Sequence, residues 1–84
     1  MSGFVLLSRP GCHLCEDFFA ALAAQFPELA AHTVWADVDT REDWRRRYGH
    51  RIPVLLDASG QRICAERFDA AAIAAAIAEV ARQV

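Results

Sequence analysis

Residues 8–15 read SRPGCHLC, and they decide the fold because they end one predicted element and begin the next. The continuous apolar run at residues 4–7, just before them, is typical of a buried strand. From Leu14 up to Pro27, apolar side chains recur at helical spacing; these are Leu14, Cys15, Phe18, Phe19, Leu22 and Phe26. The sequence therefore predicts a strand, a turn and a helix over residues 12–26, with two cysteines in its first turn.

Two shorter elements follow this first helix. Residues 32–39 alternate apolar and polar side chains with a period of two, which predicts a second strand. Thr40 and Asp43 form a capping-box pattern, which predicts a helix that begins there and ends before Gly49. Because a helix connects the first two strands, we expect these strands to lie parallel in one sheet.

The last third of the chain predicts a hairpin and a final helix. Residues 53–57 and 61–66 are short strand patterns on either side of a turn. Asp69 stands at the N-cap position of a helix whose apolar face includes Ile73 and Ile77. The resulting order β-α-β-α-β-β-α predicts an α/β fold with a four-stranded mixed sheet, helices on both faces and a single domain over residues 1–84.

The composition narrows the class of protein. The 84 residues are 55% hydrophobic and 24% charged, which is typical of a globular chain with its own core. A formal net charge of −2 gives no positive field for nucleic acid or an anionic membrane, and no apolar run approaches the roughly 20 residues that span a bilayer. The N-terminal segment has neither the basic region nor the cleavage site of an export signal. We therefore expect a cytoplasmic monomer that binds neither nucleic acid nor membranes.

The cysteine pair is the strongest functional signal in the sequence. Cys12, at the start of the predicted helix, faces unpaired backbone N–H groups and the positive end of the helix dipole, which favours the thiolate. A protonated His13 and the nearby Arg9 would add to this effect, whereas Glu16 would oppose it. Cys15 lies one turn deeper on the stripe that faces the core, which suits a resolving thiol that outside partners do not reach.

These positions predict a thiol–disulfide oxidoreductase. The Cys12 thiolate would attack a substrate disulfide and form a mixed disulfide, which Cys15 would then displace. Two other classes stay open: a metal or iron-sulfur binding module, and a redox-inert interaction domain. A closed metal site would need further ligands from a second subunit or from among Cys64, His13, His32 and His50.

Two motifs together carry a family resemblance: residues 12–15 (CHLC) at a helix start, and residues 48–54 (YGHRIPV) later in the chain. The chain resembles thioredoxin-fold proteins, and most closely the short bacterial glutaredoxin-like proteins. The resemblance implies that Pro53 follows a cis peptide bond and that the backbone at Ile52 and Pro53 pairs with a bound peptide or with glutathione. His13 and Arg51 complete the candidate substrate-binding set, and either Arg47 or Arg51 would pair with a glutathione carboxylate.

The resemblance also implies the redox partners. The substrates would be protein disulfides, and the electron donor would be glutathione or a flavin-dependent disulfide reductase, with no resident cofactor. In glutaredoxins a Gly-Gly pair after the last strand admits the glutathione backbone, whereas residues 64–66 here read CAE. The side chains of Cys64 and Ala65 would hinder that approach, so we expect glutathione to act slowly. Cys64 itself is expected to pack as a small hydrophobic residue.

Overall fold

The computed structural model describes residues 3–82, and over this range the chain forms four strands and four helices. In chain order they are β1 (Val5–Ser8), α1 (His13–Gln25), α2 (Pro27–Ala31), β2 (Val34–Asp37), α3 (Glu42–Tyr48), β3 (Val54–Leu56), β4 (Arg62–Ala65) and α4 (Ala70–Arg82). A single turn of 3-10 helix, Val38–Thr40, joins β2 to α3. None of the helices in this range combines the length and apolarity that crossing a bilayer requires.

The strands form one mixed sheet in the order β2-β1-β3-β4. β1 and β2 are parallel, with Val5 opposite Val34 and Ser8 opposite Asp37. β3 runs antiparallel to both β1 and β4. The predicted mixed sheet of four strands, with its helical crossover between the two parallel strands, is therefore confirmed.

Helices cover both faces of this sheet, and each face has its own core. The core under α1 and α4 consists of the buried residues Phe4, Leu6, Phe18, Leu22, Ala30, Leu55, Cys64 and Ile73. The core of the opposite face consists of Leu7, Val38, Val54 and Leu56, and α3 covers it with Trp44 and Tyr48. The predicted α/β fold with helices on both faces is confirmed.

Pro27 both ends one helix and begins another. The first helix stops at Gln25, where the Phe26 N–H donates to the Leu22 carbonyl at 2.7 Å. Pro27 is then the first residue of α2, a position where its missing N–H costs no helical hydrogen bond. The sequence pattern treats Pro27 only as the end of the first helix, so it does not predict α2. The second strand begins at Val34 rather than at the predicted residue 32.

The capping box predicted at Thr40 and Asp43 is wrong. Thr40 belongs to the 3-10 turn, and its hydroxyl donates to the Asp37 carbonyl at 2.7 Å. Arg41 is the N-cap residue of α3 and makes no side-chain capping bond. The Asp43 carboxylate instead accepts from the Arg41 guanidinium at 3.0 and 3.1 Å. Because Thr40 is part of the 3-10 turn, α3 begins later than the capping-box pattern predicts, and Thr40 is not its N-cap residue.

α1 buries a narrower stripe than its apolar residues suggest. Cys15, Phe18 and Leu22 are buried, whereas Leu14 is 65% exposed. Adjacent residues lie about 100° apart around a helix, so Leu14 points past the core that Cys15 faces. The prediction that Leu14 widens the buried stripe is wrong.

The N-cap predicted for the last helix is confirmed. An Asp69 carboxylate oxygen accepts from the Ala72 N–H at 3.0 Å, and the Asp69 carbonyl accepts from the Ile73 N–H at 3.1 Å. Ile73 is fully buried in the core between α4 and the sheet. The cap therefore fixes the start of α4 next to the residue that anchors it.

Candidate active site

One end of the sheet gathers the residues that the sequence singled out. Ser8 at the end of β1 lies opposite Asp37 at the end of β2. Pro53 immediately precedes β3, which runs antiparallel to β1, so Pro53 lies at the same end. On the other side of β3, the Glu66 N–H donates to the Pro53 carbonyl at 2.7 Å. Because the turn after Ser8 leads directly to Cys12, the cysteine pair also emerges at this end.

A tight turn places Cys12 at the N-terminus of α1. The Cys12 N–H donates to the Arg9 carbonyl at 3.2 Å, and Gly11 has a φ of 80°, which residues with a Cβ rarely adopt. Cys12 is the N-cap residue, and its Sγ accepts from the Cys15 N–H at 3.1 Å. A sulfur thus takes the place of the usual capping oxygen, against the positive end of the helix dipole.

The two cysteines differ in exposure. They form a disulfide whose Cα atoms are 5.3 Å apart, so this is the oxidised form of the pair. Cys12 is partly exposed, whereas Cys15 is 0% exposed. A partner can therefore reach Cys12 more readily than Cys15. The roles of nucleophile for Cys12 and resolving thiol for Cys15 stay predictions, and this asymmetry supports them.

His13 is the most exposed of the candidate residues. Its side chain is 92% exposed, and its Nδ1 lies 3.7 Å from Oε1 of Glu16. When protonated, the imidazolium is therefore partly balanced by the Glu16 carboxylate. Contact between His13 and a substrate stays a prediction.

The Arg9 side chain forms hydrogen bonds with Asp39 and Gly49. Its Nε and Nη2 donate to the two carboxylate oxygens of Asp39 at 2.8 and 3.0 Å, and its Nη1 donates to the Gly49 carbonyl at 2.6 Å. The hydrogen bond from Arg9 lowers the pKa of Asp39, and the same bond raises the pKa of Arg9. The positive charge that was expected to favour a Cys12 thiolate is therefore balanced by a carboxylate.

The Ile52–Pro53 peptide bond is cis, as the family resemblance implies. Pro53 is fully buried, and Ile52 is half-buried against the core under α3. Arg51 is about half exposed, with its Nε 3.6 Å from Oε2 of Glu66, so an acidic side chain already opposes its charge. Pairing of Ile52 and Pro53 with a bound peptide, and of Arg51 with a carboxylate, stay predictions.

Residues 64–66 do not share one environment. Cys64 is 8% exposed within the core under α1 and α4, and burial raises the pKa of its thiol. Its predicted packing role is therefore confirmed, whereas the expectation that its side chain obstructs glutathione at the surface is wrong. Ala65 packs toward the opposite face. Glu66 is exposed and has a φ of 72°, in the left-handed region that favours glycine.

Two features of this site were missed at the level of sequence. One is the backbone conformation of Glu66, which no local pattern indicates. The other is the Arg9–Asp39 pair with its bond to Gly49, which joins residues 30 and 40 positions apart. Arg9 attracts attention only through its position three residues before Cys12.

A metal site within one chain lacks ligands in the part of the protein that the structure describes. Over residues 3–82, no three His, Cys, Asp or Glu side chains are grouped so that they could hold a metal ion together. Cys64, a candidate further ligand, lies in the core. A tetrahedral site that uses Cys12 and Cys15 would therefore need its other ligands from a second chain.

An open groove of about 330 Å³ lies beside Cys12. The turn before Cys12, Glu16 and the end of β2 line it, and Trp35 contributes an aromatic wall. The Trp35 ring packs against Phe19, with ring centroids 5.2 Å apart. Cys12 thus borders open space on the side of β2.

The fold and this site together define the class of protein. A β2-β1-β3-β4 sheet, a helix that begins at a Cys-x-x-Cys pair and a cis proline at the same end of the sheet are the features of a thioredoxin-fold protein. Residues 4–78 match the glutaredoxin-like domain (DUF836). The chain therefore belongs to the glutaredoxin-like domain family.

Several solved structures are similar to this one, and they include the following two. A solution NMR structure of a protein from Nitrosomonas europaea has a TM-score of 0.76 and 29% sequence identity, with 88% of each chain covered. An X-ray structure of a protein from X. campestris has a TM-score of 0.67 and 30% identity, and covers 90% of this chain and 96% of that one. No curated protein matches the sequence significantly.

Proposed function

We propose that this protein is a thiol–disulfide oxidoreductase in which Cys12 is the nucleophile and Cys15 the resolving thiol. The observation that carries the proposal is the asymmetry of the pair. Cys12 is partly exposed and its Sγ accepts an N–H bond at the N-terminus of α1, while Cys15 is fully buried. The helix N-terminus favours the negative charge of a thiolate, and exposure lets a substrate reach it.

The reaction starts from the reduced pair. The Cys12 thiolate attacks one sulfur of a substrate disulfide, forms a mixed disulfide and releases the other substrate sulfur as a thiolate. Cys15 then attacks Sγ of Cys12 and releases the second substrate sulfur, which takes up the proton that Cys15 gives up. Two electrons pass from the protein to the substrate, and the Cys12–Cys15 disulfide seen in the structure is the product.

The proposed partners are those that the family resemblance implies, and the open setting of Cys12 supports the first of them. Protein disulfides fit the open setting of Cys12, with Ile52 and Pro53 as the backbone that a polypeptide meets and His13 as an exposed contact. Glutathione or a flavin-dependent disulfide reductase would return the protein to the reduced form. Arg51 is the cation nearest to the cis proline in the sequence, and it would bind a glutathione carboxylate after separating from Glu66.

Thiol release tests the proposed function directly. Reduced protein mixed with excess bis(2-hydroxyethyl) disulfide is expected to release two small thiols per chain and to end with Cys12 joined to Cys15. Chromatography of the released thiol and mass spectrometry of the protein measure both quantities. A protein that stays reduced and releases no thiol would contradict the proposal. Parallel turnover assays with glutathione and with a flavin-dependent reductase then identify the donor.

Alkylation distinguishes the reactive cysteine from the structural one. In a Cys15→Ser variant only Cys12 and Cys64 carry thiols. We expect iodoacetamide to label Cys12 with a pH midpoint below about 8.5, the pKa of a free thiol. Cys64 should stay unlabelled in the folded protein, because burial raises its pKa and blocks access. Mass spectrometry locates the label, and labelling of Cys64 in urea is the control. A Cys12 midpoint at or above 8.5 would show that the helix N-terminus does not activate it.

Glu66 is the residue that we expect to limit glutathione. A Glu66→Gly variant removes a side chain near the cis proline and frees Arg51, so glutathione-dependent turnover should rise roughly tenfold, the order of one charge-assisted hydrogen bond. The fold should tolerate the change, since a φ of 72° suits glycine. Glu66→Ala is the matched control, because it removes the carboxylate and keeps Cβ. Unchanged turnover in both variants would rule out Glu66 as the obstacle.

A further inference from the structure

Arg9 joins three segments of the chain, one of which carries the cysteine pair. It lies in the turn before Cys12, and its Nε and Nη2 donate to Asp39 in the 3-10 turn after β2. Its Nη1 donates to the carbonyl of Gly49, the residue that follows α3. A single side chain therefore links the segment that carries the cysteines to the segment that leads to Pro53.

The planar shape of the guanidinium makes this arrangement possible. Arginine presents several N–H donors in a rigid fork, whereas the ammonium group of lysine is a point donor. Arg9 uses one edge for the two Asp39 oxygens and a further N–H for Gly49. A lysine at this position would keep the charge and would not hold both partners in the same geometry.

The backbone at Gly49 is packed so closely against its neighbours that it would move if the Arg9 side chain moved. Gly49 is buried, and a Cβ added there would lie 2.5 Å from the Arg45 carbonyl oxygen and 3.3 Å from Nη2 of Arg9. Four residues later the chain reaches the buried cis Pro53. A shift of Arg9 relative to Gly49 would therefore displace the start of the loop that ends at Pro53.

We infer that Arg9 is a positioning residue, which sets the loop at residues 49–53 relative to Cys12 so that a polypeptide disulfide lies against the half-buried Ile52 while Cys12 attacks it. This inference rests on the proposed function and adds to it the residue that holds the docking segment in place. Its effect is geometric, because Asp39 balances the charge of Arg9. Reactions that need only the Cys12 sulfur therefore do not depend on it.

The test compares two probes in the same variants. One probe is the disulfide-linked dimer of an uncharged cysteine peptide, which needs both Cys12 and the docking loop. The other is iodoacetamide with a Cys15→Ser background, which needs Cys12 alone. In Arg9→Lys and in Asp39→Asn we expect kcat/KM for the peptide disulfide to fall roughly 10- to 100-fold, the cost of a misplacement of about 1 Å. In Arg9→Lys, which keeps both the positive charge and the Asp39 carboxylate, the alkylation rate and its pH midpoint should stay within about twofold and about 0.3 pH units, by the same reasoning.

Arg41→Lys is the matched control. Arg41 makes the same kind of two-bond pair with the Asp43 carboxylate, but it shares a groove with Gly3 and Val5 at the start of β1, whereas Cys12 follows the end of that strand. This variant should keep wild-type kcat/KM for the peptide disulfide. If Arg9→Lys keeps wild-type kcat/KM as well, or if its loss is matched by a shift of the alkylation midpoint, then Arg9 does not act by position.

Hydrogen exchange separates this inference from the proposed function. The Arg51 amide donates to the Tyr48 carbonyl at 2.8 Å within the loop that Arg9 is inferred to hold. Its exchange should accelerate in Arg9→Lys by roughly tenfold or more, since exchange follows local opening, and should not change in Arg41→Lys. This result does not require activity, so a wild-type protein without turnover would contradict the proposed function alone. Unchanged exchange of Arg51 in Arg9→Lys would overturn the positioning role.

Discussion

A Cys12→Ser variant is expected to release no thiol from a disulfide substrate, with turnover reduced by at least about 10³-fold. Serine keeps the N-cap position and can accept the Cys15 N–H in place of sulfur, so the start of α1 should stay intact. Its hydroxyl is not a thiolate, however, and forms no mixed disulfide. The loss would therefore be a loss of chemistry and not of folding.

The Cys15→Ser variant is expected to stop one step later. Cys12 still attacks and releases one thiol, but the second half of the substrate stays attached because no buried thiol displaces it. Mass spectrometry after incubation with bis(2-hydroxyethyl) disulfide should show the added mass on Cys12 in Cys15→Ser and no added mass in Cys12→Ser. Equal trapping by both single variants would show that the two cysteines have interchangeable roles.

Cys64 provides the control for both variants. It lies in the core and outside the cysteine pair, so Cys64→Ala should change turnover by no more than about twofold. Alanine is preferable to serine here, because a buried hydroxyl without a partner carries its own cost in stability. A large loss of turnover in Cys64→Ala would give this thiol a role that its burial does not indicate.

Local patterns were sufficient to predict the four strands and three of the four helices in the described residues. The period of the apolar residues separates strand from helix, and the position of Asp69 marks the start of α4, which its hydrogen bond to the Ala72 N–H confirms. The same reasoning placed Cys12 at a helix start, because the turn residues before it end β1. These predictions depend on neighbours within a few positions, and such neighbours are visible in the sequence.

Long-range geometry was not predictable in the same way. The bonds from Arg9 to Asp39 and Gly49 connect residues that only the folded sheet brings together. The treatment of Cys64 and Ala65 as one obstacle was avoidable, since adjacent residues of a strand face opposite sides of a sheet. Glu66 follows Cys64 and Ala65 in the sequence, but its left-handed backbone is known only from the structure.

A Leu22→Ala variant is expected to lose about 2–5 kcal/mol in the free energy of unfolding. Leu22 is 0% exposed and lies in the core that α1, the sheet and α4 share, so truncation removes buried apolar contacts and leaves a cavity. A domain of this size has a total stability of only about 5–15 kcal/mol, so the variant should be close to unfolding under ordinary conditions. Urea denaturation at constant redox state measures the change.

Leu14→Ala is the matched control for this loss, because it makes the same truncation on the same helix. Leu14 is 65% exposed, so its removal should change the free energy of unfolding by no more than about 0.5 kcal/mol. The comparison measures directly how α1 is oriented on the sheet, since the apolar pattern of the sequence places both leucines on one stripe. Equal destabilisation by the two substitutions would mean that α1 turns Leu14 into the core. Cys15, which follows Leu14, would then not be the buried member of the pair.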